Sequence, residues 1–62
     1  MKSFGYFFNV GKDADNYGVI FARNKKNASR KLRKEIANAY LRNNKQKTYW
    51  KAIDSLKVYD LA

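Results

Sequence analysis

Two apolar runs near the start of the chain decide the fold: Phe4-Gly5-Tyr6-Phe7-Phe8-Asn9-Val10 and Tyr17-Gly18-Val19-Ile20-Phe21-Ala22. Both are rich in aromatic and β-branched residues, which pack well on a pleated, half-buried surface. Residues 11–16 between them hold Gly11, Asp13, Asp15 and Asn16, the types that turn a chain. The two runs are expected to form an antiparallel β-hairpin, with a loop longer than the tight two-residue kind.

Downstream the periodicity changes. From Asn24 or Asn27, either of which suits a helix N-cap, to about Arg42, apolar residues fall at Ala28, Leu32, Ile36, Ala39 and Tyr40. Ala37 and Leu41 widen the stripe. This is the 3.6-residue period of an amphipathic helix. Asn43 and Asn44 suit its exit, because asparagine tolerates the left-handed conformation. Residues 48–56 are ambiguous. Tyr49, Ala52, Ile53 and Leu56 fit a short helical stripe, whereas Trp50, Ala52, Leu56 and Val58 fit a strand. The Leu-Lys-Val-Tyr alternation favours a strand over residues 56–61. The expected fold is α+β: a single small β-β-α-β domain over residues 1–62, with one amphipathic helix packed on one face of an antiparallel sheet.

One helical stripe covers one sheet face. If Phe4, Tyr6 and Phe8 point at the helix, Phe7 points away. If Ile20 and Ala22 point inward, Tyr17, Val19 and Phe21 point away, because alternate side chains of a strand occupy opposite faces. Phe7, Tyr17, Val19 and Phe21 are thus expected to form an apolar protein-interface surface. A 62-residue chain buries only about 60% of its unfolded surface, so pairing into a homodimer is a further expectation.

Fourteen Lys and Arg face five Asp and Glu, a net charge of +9. Such a charge attracts polyanions. Arg23, Lys25 and Lys26 precede or open the helix. Arg30, Lys31, Arg33 and Lys34 lie within it, and Arg42, Lys45 and Lys47 follow. Arg30 and Lys34 are one turn apart with Arg33 beside them, opposite the Ala28–Leu32–Ile36 stripe. Like charges so spaced repel by a few tenths of a kcal/mol per pair. The plain reading is a solvated helix face; the functional one is a nucleic-acid surface. Lys25, Lys26, Arg30, Lys31, Arg33, Lys34, Arg42, Lys45 and Lys47 are the candidate contacts.

Lys2-Ser3-Phe4-Gly5-Tyr6-Phe7 is loosely similar to the aromatic signature of RNA-recognition and cold-shock domains, whose strand aromatics stack on bases. The similarity covers six residues. Ser3 stands where that signature prefers Gly, and Asn9 where it prefers an aromatic. The strand also comes first in the chain rather than after a helix, so no family is assigned.

No cysteine or histidine occurs, which removes disulfides, thiolate chemistry and the two commonest zinc ligands. Asp13 and Asp15 begin no calcium loop, lacking the Gly and Glu that such a loop requires, and are read as turn formers. Nothing nominates a catalytic residue, a metal ligand or a cofactor site, and no enzyme is expected. The apolar run after Met1-Lys2 is too short for a signal peptide, and no stretch suits a membrane span. A cytoplasmic protein is expected. Usage skewed to Lys and Asn, with no Pro, hints at a phage-like or mobile-element origin.

Two function classes follow. The first is a small basic nucleic-acid-binding protein, the choice between DNA and RNA left open. The second is a protein-binding inhibitor or adaptor, acting on an acidic partner through the aromatic sheet face or a strand edge. The discriminating feature is where aromatics and cations lie. Together they favour nucleic acid; apart, with a flat aromatic patch, they favour protein.

Overall fold

A computed structural model describes residues 1–11 and 15–61. Strand β1 (Lys2–Asn9) pairs antiparallel with β2 (Asp15–Ala22). Helix α1 (Lys25–Tyr40), a 3-10 turn (Leu41–Asn43) and helix α2 (Gln46–Ser55) follow. Strand β3 (Lys57–Asp60) returns to the other edge of β1. The sheet order is β2-β1-β3, antiparallel throughout, and the aromatic-rich strand is central.

The fold class is the α+β arrangement expected, with one correction: two helices, not one, cover the sheet. Residues 46–55 resolve as helix because Ala52 is fully buried beside Phe8 and Ile36, with Tyr49 and Ile53 packed on the same cluster. The competing strand pattern counted Trp50 as an inward residue, but Trp50 is 58% exposed. A second correction concerns the loop. Asp15 and Asn16 belong to β2, where the Asn9 side-chain amide donates to the Asp15 carboxylate. The Asn9 side-chain oxygen accepts from the Gly11 amide, and Gly11 takes a φ of 150° that side chains disfavour. Asp13 lies outside the described residues.

Helix α1 begins where expected. The Asn24 side chain accepts from the Asn27 amide at 2.9 Å, so Asn24 is the N-cap and Asn27 its donor. The chain turns out of the helical segment at Asn44, in the left-handed conformation (φ 58°). Ala28, Leu32 and Ile36 are buried, as read from the period. Tyr40 is half-buried. Ala39 and Leu41 are exposed, contrary to the expected stripe. Toward this end of α1 the edge strand offers only Asn16 and Gly18 on its helix-facing side, opposite Phe8 and Tyr6. That leaves a shallow apolar depression that Ala39 and Tyr40 line rather than fill.

Two buried clusters hold the layers together. Phe4, Ala22 and Ala28 form one, flanked by Ile20 and Val58; Phe8, Ile36 and Ala52 form the other. Leu32 lies one helical turn from both Ala28 and Ile36. The alanines let helix and sheet backbones approach closely. At the far end of β1, the Ser55 hydroxyl of α2 accepts from the Asn9 amide at 2.7 Å. The Asn9 carbonyl lies within hydrogen-bonding distance of the same hydroxyl, at 2.9 Å.

Candidate functional site

Strand register sorts the side chains into two faces. On the helix side lie Phe4, Tyr6 and Phe8 of β1, Ile20 and Ala22 of β2, and Val58 of β3. On the other side lie Ser3, Gly5 and Phe7 of β1, Asp15, Tyr17, Val19 and Phe21 of β2, and Lys57 and Tyr59 of β3. The pairs Ser3–Phe21, Gly5–Val19 and Phe7–Tyr17 set three rows, and β3 extends two of them with Tyr59 beside Gly5 and Lys57 beside Phe7. Burial agrees: Tyr17, Val19 and Phe21 are 76%, 55% and 60% exposed, while Phe7 is half-buried.

None of the described residues forms a layer over this outer face. The Cα positions span only 14 Å in the thinnest direction, enough for one sheet and one helical layer. Residues 49–50 do not fold over it. They lie in α2 on the opposite side, where Tyr49 and Trp50 meet edge to face at 5.1 Å between ring centres. Tyr59 is the face residue that sequence reading missed. The Lys-Val-Tyr alternation at residues 57–59 carried the signal, because it puts Tyr59 on the side opposite Val58.

The charge is partitioned along the chain. Residues 23–55 hold eleven Lys and Arg against Glu35 and Asp54, a net +9. The remaining residues hold Lys2, Lys12 and Lys57 against Asp13, Asp15 and Asp60, a net zero. All nine sequence-predicted contacts, Lys25, Lys26, Arg30, Lys31, Arg33, Lys34, Arg42, Lys45 and Lys47, are exposed in the helical layer or its junctions. Lys26, Arg30 and Arg33 line one shallow depression with Ser29. Arg30 and Lys31 line a second with Arg23. The Lys31 ammonium donates to the Phe21 carbonyl at 2.9 Å, which turns it toward the β2 edge.

Neither helix has an acidic residue in its first turn. Instead α1 opens with Lys25 and Lys26, and α2 with Lys45 at its N-cap and Lys47 just inside. A helix N-terminus carries about half a positive charge, so each such lysine is unfavourable by roughly 0.3–1 kcal/mol at low salt. An anion at either end would relieve this.

Aromatics and cations therefore lie mostly apart. The exceptions among the described residues are Trp50, exposed on α2 one turn from Lys47 and next to Lys51, and Lys57, which stands beside Phe7 on the open sheet face. No protein-family model, curated protein or solved structure matches this chain. Among the described residues, no helix is long and apolar enough to cross a membrane.

Proposed function

We propose that this protein is a non-catalytic, cytoplasmic nucleic-acid binder, and that it holds the phosphate backbone with its helical layer. The observation that carries the reading is the charge partition: the whole net charge of +9 falls on residues 23–55. Helix α1 has 16 residues, about 24 Å at 1.5 Å per residue. Its cations, with Arg42, Lys45 and Lys47 beyond its end, lie along a length equal to about 24 Å of duplex axis, over which each strand carries about seven phosphates, and the phosphates on the facing side fall within their reach. Trp50 adds one exposed ring that can stack on an unpaired base. The lysine-rich, asparagine-rich composition fits a phage or mobile-element source.

The test is fluorescence anisotropy with labelled duplex DNA, single-stranded DNA and RNA at two salt concentrations. Affinity should fall steeply with salt. Trp50 is the only tryptophan, so quenching of intrinsic emission reports whether the α2 surface takes part. Absence of binding to all three at low salt would end this reading.

The separation of the sheet aromatics from the cations favours a second reading at a second surface: the open sheet face contacts protein. The two readings use opposite sides of the molecule and do not compete.

A further inference from the structure

We propose that the protein covering the open sheet face is a second copy of this chain, packed face to face about a two-fold axis. This rests on the protein-contact reading of that face and is independent of nucleic-acid binding.

Charge chooses the face. Two copies at +9 each repel wherever their helical layers approach. Among the described residues of the three strands, the open face carries two charged ones, Asp15 and Lys57, which cancel. It is the one broad surface on which like chains can meet without opposing charge. Meeting there also turns both helical layers outward. Sheets stack about 10 Å apart and helices lie about 10 Å beyond, which puts the two basic layers roughly 30 Å apart. That exceeds the Debye length of about 8–10 Å at physiological salt.

The face is also self-complementary. With the axis along β1, rotation lays β2 of one copy over β3 of the other. The row Tyr17–Phe7–Lys57 then meets its own reverse, so each Lys57 comes over Tyr17 of the partner. Asp15, two residues from Tyr17 on the same face, falls within reach of that ammonium. The middle row Val19–Gly5–Tyr59 is reversed likewise, placing Tyr59 over Val19 of the partner. Opposite charges and a ring–cation pair are thus satisfied twice by one operation, the mark of an isologous contact.

Area sets the strength. Two strands of eight residues and one of four make a face of at most about 14 by 26 Å, so two copies cover roughly 700 Å² in total, the size of a weak, transient contact. A weak, reversible dimer is the consequence.

The experiment is sedimentation equilibrium without nucleic acid, from about 5 to 500 µM, a range that brackets micromolar dissociation constants. It is run at low and physiological salt on the native chain and on Val19→Lys and Tyr17→Lys. Both substituted positions are well exposed, and circular dichroism confirms folding of each variant. The native chain of 7.3 kDa should reach a dimer mass, more readily at physiological than at low salt. Either lysine should weaken dimerisation by about tenfold or more, because Val19→Lys places an unpaired charge in an apolar contact and Tyr17→Lys sets a second ammonium against Lys57 of the other copy. A 7.3 kDa species at every concentration and salt overturns the proposal, as does a dimer that both variants retain. A monomer that captures another protein from lysate in a Tyr17-dependent way also overturns it, while leaving the protein-contact reading standing.

Discussion

The ring of Tyr59 lies over Gly5 on the open side of the sheet, so closely that a Cβ at position 5 would collide with it. Gly5 is buried although it lies on the uncovered face, because Tyr59 of β3 covers the gap left by the missing side chain. Gly5→Ala should therefore swing the Tyr59 ring outward rather than break the β1–β3 pairing. The obstruction is the far end of one side chain, so stability should change by no more than about 1 kcal/mol. Self-association should weaken, because the middle row of the face loses its shape. Thermal melting and sedimentation on the same sample separate the two effects.

Leu32 is 2% exposed and lies on the buried α1 stripe between Ala28 and Ile36. Leu32→Ala should cost about 2–5 kcal/mol. In a fold of this size that is a large share of total stability. A lower thermal midpoint, or outright unfolding, is the expected readout; an unchanged melting curve would contradict the packing described.

Ser55→Ala removes the hydroxyl that ties the end of α2 to the end of β1. The Asn9 amide is left without that acceptor at a part-buried site, at a cost of about 1–3 kcal/mol. Hydrogen exchange at Asn9 should accelerate in the variant. Asn24→Ala, which removes the α1 N-cap, should cost about 0.5–2 kcal/mol by chemical denaturation.

Arg30, Arg33 and Lys34 are exposed on the side of α1 away from the sheet. Changing all three to Ala should weaken binding to duplex and single strands alike. If each holds a phosphate, the slope of log affinity against log salt should fall by roughly 0.9 per contact on duplex DNA. Stability should not drop, because the substitutions relieve repulsion between like charges. Binding at full strength with the native slope would reduce these residues to solvated surface.

Salt should move the two activities in opposite directions. Nucleic-acid binding weakens as ions compete for phosphate, while pairing of two +9 chains strengthens as their repulsion is screened. A dimer with basic layers on both outer sides should bridge two duplexes. Light scattering of DNA should thus rise with native protein and fall with Val19→Lys at equal occupancy.

Local chemistry determined much of this protein. Period two wrote the hairpin and its two faces, period 3.6 wrote α1 and its buried stripe, and Asn24 and Asn44 marked where the helical segment starts and turns. The basic residues were legible as exposed because helical geometry puts Arg30, Arg33 and Lys34 opposite Leu32. Tertiary structure alone decided α2. Its sequence mixes aromatic and β-branched residues that suit strand or helix equally, and the choice rests on Ala52 being small enough to bury between Phe8 and Ile36. Long-range packing also set which edge of β1 receives β3, and with it the laying of Tyr59 over Gly5. It likewise brought both helices to one side, so that the chain's positive charge gathers on one layer and the other is left neutral and apolar. A sequence fixes periodicity residue by residue, but contacts between segments 40 or 50 positions apart depend on shape and volume that no local pattern encodes.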